Sequence, residues 1–387
     1  MMTKKQIILI VIAGVLLLPL WMWAAWLLTP RKKMVAVIVD KTVEMPDAGQ
    51  HTSFTWVLNN QRFTKSKTRL YKNTNDYFGF FPLKDEKFRL KGLERFSSEM
   101  LEKLSNDADM AYFTDTYGVY KNEWYKKRTT QSGGMIYGGM SDQDIEFLRA
   151  MKAKHKLVIS EFNTIGSPTS ENVRRDFEDL FGLKWTGWTG CYFSSLDTTN
   201  NADLSGWIVD NYKKNNNGRW PFHDAGIVFL NSDGKVLILE EGNQLSSALP
   251  LITVNKLNQN KYGLPSQTAY PYWFDVMQYD SLLNKPVAEF NLGLNPAGKE
   301  ILKNNNIPFC FPAILTHQKS DYRFYYFSGN FCYNPVSMNS SYFKGIGILN
   351  RFFYHYKNVN DRHHFFWKFY YPLITKITSD YYHSLRN

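Results

Sequence analysis

The chain has 387 residues, of which 44% are hydrophobic and 21% are charged, a composition typical of a folded globular protein and not of a disordered one. This length suits one large α/β domain or two fused domains. The formal net charge is +11, but no tract of five or more Lys and Arg residues accompanies it. Zinc-finger and recognition-helix signatures are also missing, so we expect no nucleic acid among the partners.

The first predicted element is an apolar segment near the N-terminus. Residues 6–28 form a run of 23 residues without a charged side chain. At about 1.5 Å per residue such a helix spans about 34 Å, more than the roughly 30 Å core of a bilayer. Trp21, Trp23 and Trp26 lie near its C-terminal end, where aromatic rings favour the membrane interface. The pattern predicts a single transmembrane anchor and not a cleaved signal peptide.

The charges beside this segment do not decide its orientation. Lys4 and Lys5 on one side are balanced by the basic residues at 31–33 on the other, so the positive-inside rule predicts no orientation. A short tail before a large domain is typical of a signal anchor. We therefore expect a single-pass protein of a bacterial membrane with its globular domain on the outer, periplasmic or extracytoplasmic face. The expected partners are the membrane and an envelope glycan or a partner protein.

Apolar runs alternate with helical patterns after this segment. The runs at 35–40, 110–115 and 157–161 are typical of strands buried on both faces, because they lack an alternation of polar and apolar residues. Ser141 is the expected N-cap of one intervening helix, and Gly182 is expected to end another. This order predicts an α/β fold with an open, mostly parallel sheet and helices on both faces.

The second half of the chain is richer in strand patterns, including a hairpin around Asn231-Ser232-Asp233-Gly234. These strands either extend the same sheet or form a β-rich subdomain. We therefore predict four parts: an N-terminal tail, transmembrane anchor and basic flank at 1–33, an α/β domain at 34–200, a β-rich extension at 201–341, and a helical aromatic tail at 342–387.

The tail and the cysteines each leave two alternatives. The aromatic, basic tail either lies on a membrane surface or packs against the domain. Cys310 and Cys332 lie in neighbouring apolar segments and either form a disulfide in an exported domain or are buried thiols, with Cys191 left over.

Several predicted strands end in acidic residues, namely Asp40, Asp115, Glu161 and Glu240. In an open α/β sheet, ligands bind outside the carboxyl ends of the strands, because the loops of neighbouring strands converge there. We expect Asp40, Asp115 and Glu161 to share one crevice. Crowded carboxylates have divergent pKa values and can serve as acid and base, or they bind a divalent cation such as Mg²⁺ or Ca²⁺. Alternatively, each carboxylate caps the next helix or accepts a loop amide.

Glu161 and Asp115 are the candidate catalytic pair of this crevice. Other polar and aromatic side chains follow the strand ends in the sequence, and Trp188 either stacks on a sugar ring or fills the core. No set of metal ligands is predicted beyond the carboxylate cluster. The predicted binding residues are Asp40, Lys41, His51, Tyr117, Asn163, Trp188 and Glu240.

The stretches "VAVIVDKTV", "DTYGVY", "YGGMSDQD", "SEFNTIGSPT" and "YYFSGNF" together resemble the class I glutamine amidotransferase-like, flavodoxin-like α/β domain of membrane-anchored bacterial proteins that lack the catalytic cysteine. In the enzymes of that fold, the resemblance implies a cysteine at a strand-to-helix turn, activated by a histidine with an acidic partner. Here that turn holds Glu161, Phe162 and Asn163. Without a thiolate at this place, amidotransferase chemistry has no attacking atom.

Two hypotheses on function follow. In the first, a degenerate amidotransferase-like domain binds an envelope polymer such as a glycan, or a partner protein, without amidotransferase chemistry. In the second, the protein is a hydrolase or lyase that acts on an envelope glycan, with Glu161 and Asp115 as acid and base or as cation ligands. The second requires that both carboxyl groups face one pocket and are not held by backbone amides.

Overall fold

The fold is described by a computed structural model over residues 3, 6, 14–15, 17–45, 49–125, 133–199, 201, 203–350 and 358–386. The strands of these residues are β1 (Lys32–Lys33), β2 (Ala36–Asp40), β3 (Phe63–Thr64), β4 (Phe78–Pro82), β5 (Phe88–Lys91), β6 (Met110–Asp115), β7 (Val119–Tyr120), β8 (Met135–Tyr137), β9 (Leu157–Glu161), β10 (Leu183–Phe193), β11 (Gly226–Asn231), β12 (Val236–Glu240), β13 (Leu245–Thr253), β14 (Gln267–Ala269), β15 (Phe274–Tyr279), β16 (Asn284–Leu294), β17 (Cys310–His317) and β18 (Arg323–Phe327).

Helices lie between many of these strands. Short 3₁₀ turns occupy Leu93–Arg95 and Met338–Tyr342, and a π-helical turn occupies Phe366–Tyr370. The α-helices are α1 (Leu18–Leu28), α2 (Thr52–Asn60), α3 (Ser98–Asp107), α4 (Lys121–Trp124), α5 (Asp142–Ala153), α6 (Glu171–Phe181), α7 (Gly206–Asn215), α8 (Lys256–Tyr262), α9 (Pro296–Asn304), α10 (Ile346–Asn350), α11 (Arg362–Phe365) and α12 (Tyr371–Ser384).

The main sheet has ten strands in the order β14-β13-β16-β17-β18-β9-β6-β2-β4-β5. The strands β18, β9, β6, β2 and β4 run parallel to one another. The other neighbours pair antiparallel, among them β17 with β18, which are joined by a short turn. The prediction of an open, mostly parallel sheet is therefore wrong, because the sheet is mixed and the strands on the β14 side of β18 pair antiparallel.

The sequence did not reveal the direction of the strands, because both faces of the main sheet are covered. Along β6, Met110 and Tyr112 contact one hydrophobic cluster, whereas Ala111 and Phe113 contact the cluster on the opposite face. A strand buried on both faces shows no alternation, whether it is parallel or antiparallel.

The prediction of a single transmembrane anchor is also overturned. In the part of the chain that the structure describes, no helix combines the length and the apolar character needed to cross a bilayer, and α1 has 11 residues. Residues 7–13 and 16 of the predicted span lie outside the described residues. The predicted localisation in a bacterial membrane rested on this span and is therefore not supported.

Helix α1 contacts the domain through its C-terminal half. The indole Nε1 of Trp26 donates a hydrogen bond to the backbone oxygen of Asn59, at 2.9 Å. The Arg62 guanidinium donates to the backbone oxygens of Trp26 and Thr29, at 3.0 and 2.7 Å. These bonds satisfy carbonyl groups that a helix end leaves without intrahelical partners.

A second sheet carries part of the site. It has the antiparallel order β12-β11-β10-β15. Strand β10 has an irregular register between Trp185 and Thr189, where Gly187 has φ +85°, a conformation that favours glycine. Thr189 is thereby placed opposite Asp275 of β15.

Two local features predicted from the sequence are confirmed. The Ser141 side chain accepts a hydrogen bond from the backbone of Asp144, whose side chain reciprocates, so α5 begins with a capping box. Helix α6 ends at Gly182, which has the left-handed conformation.

The C-terminal helical segment is part of the core and does not lie loose on the surface. Phe366, Phe369, Tyr370 and Leu373 are fully buried in the larger hydrophobic cluster. All three cysteines are free thiols, with Cys310 exposed and the other two buried.

We expect Leu373→Ala to lower the free energy of unfolding by about 2–5 kcal/mol, because it leaves a cavity in the core. Urea denaturation measures this loss. The matched control is Asp380→Ala, at an exposed position of the same helix, with an expected change below about 0.5 kcal/mol. Equal stability of both variants would contradict the core position of α12.

Candidate functional site

The carboxyl ends of the parallel strands meet at one edge of the main sheet. Asp40 lies opposite Asp115 in the register of β2 and β6, and Glu161 lies opposite Phe327 in the register of β9 and β18. The backbone therefore brings the predicted acids to one edge. Their side chains, however, point to different surroundings.

Glu161 is fully buried and held by several donors. Its Oε2 accepts hydrogen bonds from the backbone N–H groups of Phe331 and Cys332, at 3.1 and 2.9 Å. Its Oε1 accepts a hydrogen bond from the Tyr112 hydroxyl, which lies 3.1 Å from the Tyr370 hydroxyl. Burial raises the pKa of Glu161 to about 8, although the Cys332 thiol and the two backbone donors oppose this rise. The geometry thus gives Glu161 a structural position and not an acid–base role.

Asp40 holds the loop before α2. Its Oδ2 accepts the backbone N–H of His51 at 3.0 Å and lies 2.7 Å from His51 Nδ1. The other ring nitrogen, Nε2, lies 2.7 Å from the backbone oxygen of Asn73. Both ring nitrogens of His51 therefore face acceptor oxygens. His51 is 1% exposed and Asp40 is 0% exposed, which leaves neither available to a ligand.

Lys41 follows β2, is buried, and pairs with Asp144 of α5. Its Nζ lies 2.7 Å from Asp144 Oδ2 and 3.5 Å from Glu94 Oε2, and it donates to the Gly139 backbone oxygen at 2.9 Å. Asp144 also caps α5 together with Ser141. The charge of Lys41 therefore balances a buried carboxylate and does not face a ligand.

Two other predicted binding residues lie outside the crevice. Glu240 is buried, and its Oε1 accepts the backbone N–H groups of His223 and Asp224, at 2.7 and 2.9 Å. Trp188 belongs to the main hydrophobic cluster. Its backbone oxygen accepts a hydrogen bond from Trp185 Nε1, at 3.0 Å.

Asp115 lines a pocket. Its Oδ1 accepts hydrogen bonds from Thr42 Oγ1 and from the backbone N–H of Tyr117, both at 2.6 Å. Burial raises the pKa of Asp115 to about 7, and the nearby charge of Asp40 raises it further, while the Thr42, Tyr117 and Asn163 donors oppose this rise.

Asp275 lines the same pocket and was missed in the sequence. Its Oδ1 accepts a hydrogen bond from Thr189 Oγ1 at 2.7 Å. Its Oδ2 is buried. Burial raises the pKa of Asp275 to about 7, and the donors of Thr189, the Asn163 backbone and the Tyr326 hydroxyl oppose this rise. The signal was an acid inside the apolar run at 272–277.

Asn163 lies between the two carboxyl groups. Its side chain lowers the pKa of Asp115, and its backbone lowers that of Asp275. It follows β9 in the turn where the amidotransferase resemblance places a nucleophile, and its φ is +64°. Asparagine tolerates this left-handed conformation better than most residues. Asn163 is therefore a shared neighbour of both acids.

The pocket has a volume of about 530 Å³, which is within the usual range of ligand sites. Asp115, Asp275 and Asn163 are among its polar lining residues. Its aromatic lining consists of Tyr117, Phe162, Trp185, Trp207 and Trp273. Trp207 is 53% exposed and extends from the first turn of α7.

The sequence also left a divalent cation open as the ligand of the carboxylate cluster. Among the described residues, no group of three or more His, Cys, Asp and Glu side chains is arranged to hold a metal ion. The hydrogen-bond donors around Asp40, Asp115 and Glu161 occupy carboxylate oxygens that a hard cation would need. The residues present do not fit such an ion.

No family model matches the chain, and no curated protein matches it. Among solved structures, the carbohydrate deacetylase Agd3 is similar with 9% identity and a TM-score of 0.33, over 77% of this chain and 30% of that chain. A ThuA-like protein from Parabacteroides merdae is similar with 10% identity and a TM-score of 0.36, over 77% of this chain and 79% of that chain. The chain thus spans less than a third of the length of the deacetylase. Similarity at this level assigns no function to the chain.

We expect the stability of the protein to fall as the pH rises from about 5 to about 8. The pKa of Glu161 is raised from 4.5 to about 8, so the folded state keeps a proton that the unfolded chain releases, and the contribution is lost as pH passes through this interval. Glu161→Gln keeps the shape without this proton. Its melting temperature should fall less steeply with pH than that of the wild type.

The melting temperature of Glu161→Gln should still fall somewhat with pH, because the pKa values of Asp115 and Asp275 are also raised. Glu300→Gln, at an exposed position, is the matched control and should follow the wild type. Parallel melting curves for Glu161→Gln and the wild type would contradict the prediction.

Lys41→Met is expected to lower the free energy of unfolding by about 3–5 kcal/mol, because it leaves the Asp144 carboxylate buried without its cation. Lys154→Met removes a lysine whose partner, Glu102, is largely exposed, and should cost less than about 1 kcal/mol. Chemical denaturation of both variants measures the difference. Equal losses of unfolding free energy in the two variants would contradict a structural role of the buried Lys41–Asp144 ion pair.

Proposed function

We propose that this protein binds a carbohydrate in the pocket lined by Asp115 and Asp275. The observation that supports this most is the joint presence of three tryptophan side chains and two buried carboxyl groups in one pocket. Indole faces pack against the C–H faces of a sugar ring, and a few placed polar groups orient its hydroxyls.

The distribution of these groups suits a polyhydroxylated ring. Trp207 offers an exposed face, whereas Trp185 is 8% exposed and forms a wall. The carbonyl and amino groups of the Asn163 side chain, which lines the pocket, supply an acceptor and a donor for neighbouring hydroxyl groups. A purely apolar ligand would leave these polar groups buried without partners, which is costly.

A protein partner is the other binding function that the sequence left open. Protein partners mostly dock on broad, shallow surfaces with apolar centres. The strand ends here form a concave pocket with a polar floor, and concave pockets of this size are typical of small ligands. This observation favours the carbohydrate.

The amidotransferase-like relationship stays a prediction. None of the described residues that line the pocket is a cysteine. Cys332, at the same edge of the sheet, is buried, and its surroundings raise the pKa of the thiol well above its ordinary value. A thiol held in this form is a poor nucleophile, so we do not propose amidotransferase chemistry.

A glycan array tests the proposal directly. The labelled wild-type protein should bind at least one glycan, and Trp207→Ala should weaken that binding about tenfold, because a lost ring contact of this kind costs on the order of 1–2 kcal/mol. Phe309→Ala, which removes an exposed aromatic ring outside the pocket, should bind like the wild type. The absence of any bound glycan, or equal binding by Trp207→Ala, would overturn the proposal.

A further inference from the structure

Resting on the proposed carbohydrate binding, we propose that the ligand is an oligosaccharide that extends from the pocket of Trp207 into two neighbouring cavities. We call the pocket of Trp207 the main pocket. The middle cavity, with a volume of about 330 Å³, is lined by Tyr272 and Asn201. The outer cavity, with a volume of about 620 Å³, is lined by Tyr333 and Val336. Volumes of this size are typical of sites for small ligands, so each cavity can hold part of a sugar chain.

The three cavities share walls. Trp273 lines both the main pocket and the middle cavity. Asn360 and Arg362 line both the middle and the outer cavity. Gln50 lines the main pocket, and the adjacent residue Gly49 lines the outer cavity. Because neighbouring cavities are bounded by the same residues, one ligand can enter all three, and a chain that passes Trp273 next meets Arg362.

Accessible aromatic side chains occur along this whole path. Trp207 is 53% exposed in the main pocket, and Tyr333 is 44% exposed in the outer cavity. Trp273 is half-buried in the wall between the main pocket and the middle cavity. An aromatic face packs against the apolar C–H face of a sugar ring. Successive sugar residues of one chain would therefore each have a ring to contact.

Arg362, between the middle and the outer cavity, is held in a fixed position. Its guanidinium carbon lies 3.9 Å from the centroid of the Tyr272 ring and 5.1 Å from that of the Tyr333 ring. Its Nη1 donates hydrogen bonds to the backbone oxygens of Asn330, at 3.0 Å, and Tyr333. Asn330 also lines the main pocket. These contacts fix the planar guanidinium before a ligand arrives, which lowers the entropy cost of binding.

The remaining donors of Arg362 are suited to ligand oxygens. Both of its hydrogen bonds come from Nη1, so Nε and Nη2 have no acceptor among the described residues. The carboxylate of the adjacent Asp361 instead accepts the backbone N–H of His363 at 2.9 Å and lies 2.8 Å from the Nδ1 of that ring. Asn360, exposed beside Arg362, adds a donor and an acceptor. Arg362 and Asn360 can therefore bind the hydroxyl groups of a sugar residue between the two cavities.

The test compares ligands of different length on the full chain. The probes are the disaccharides and hexasaccharides of the cello-, chito-, xylo- and manno-oligosaccharide series and of the oligogalacturonides. In at least one series, the hexasaccharide should bind at least about tenfold more tightly than the disaccharide, because it reaches contacts beyond the main pocket. Isothermal titration calorimetry measures both dissociation constants.

Arg362→Gln and Tyr333→Ala should each weaken the binding of this hexasaccharide about tenfold, because they remove contacts in the middle and outer cavities. Both variants should bind the disaccharide within about twofold of the wild type. Trp207→Ala should weaken the binding of both ligands. Arg219→Gln, at an exposed position that lines none of the three cavities, is the matched control and should bind both ligands like the wild type.

A further variant separates ligand contacts from a loss of folding. Arg362→Gln also removes hydrogen bonds within the protein, whereas Asn360→Ala changes an exposed side chain and leaves those bonds in place. Asn360→Ala should weaken hexasaccharide binding about fivefold and leave disaccharide binding unchanged. Retained disaccharide binding shows for each variant that the main pocket is folded.

The outcomes distinguish this inference from the proposed function. If a disaccharide and its hexasaccharide bind equally tightly, the extended site is overturned and carbohydrate binding in the main pocket stands. Wild-type hexasaccharide binding in the Arg362, Tyr333 and Asn360 variants would also overturn the extended site, as would an equal loss of both ligands in Asn360→Ala. If no member of these series binds, this inference fails, and the glycan array decides separately whether the proposed function stands.

Discussion

The buried carboxyl group of Glu161 joins the parts of the chain that form the candidate site. Its oxygens accept hydrogen bonds from Tyr112 on β6 and from the backbone of Phe331 and Cys332 after β18. Tyr112 in turn contacts the hydroxyl of Tyr370 in the C-terminal segment. One side chain thus ties two central strands, the loop after a third strand and the C-terminal helices. Because a buried polar group without partners is costly, these elements keep their relative positions.

The turn after Glu161 depends on this arrangement. The backbone N–H of Phe162 donates to the backbone oxygen of Phe327 at 2.8 Å, and the hydroxyl of Thr164 donates to the backbone oxygen of Glu161 at 2.6 Å. Asn163, between them, is thereby kept in a conformation that few residues other than glycine adopt. The surrounding hydrogen bonds offset the free-energy cost of this conformation. The side chain of Asn163 is close to Asp115, and its backbone is close to Asp275.

The acids of the sheet edge divide into two groups according to their partners. Asp40 is hydrogen-bonded to His51, and Asp144 forms an ion pair with Lys41, so these carboxyl groups stabilise a loop and a helix end. Asp115 and Asp275 have hydroxyl and amide partners but no cation among their hydrogen bonds to described residues. Burial without a cation raises the pKa of a carboxyl group, which explains why the pKa values of Asp115 and Asp275 are raised to about 7.

Local sequence patterns determined the features that depend on near neighbours along the chain. The cap at Ser141 and the helix end at Gly182 follow from the needs of helix termini, and the acids at the ends of β2, β6 and β9 are visible in the apolar runs. Tertiary structure alone decided the direction of the strands and the contacts of the N-terminal apolar segment. It also decided which acids line the pocket. Strands covered on both faces look alike in either direction, and hydropathy does not specify the contacts of Trp26 with Asn59 and Arg62. Which carboxyl group meets a pocket and which meets a backbone amide depends on side chains far apart in sequence, so Asp275 joins Asp115 only when the two sheets pack together.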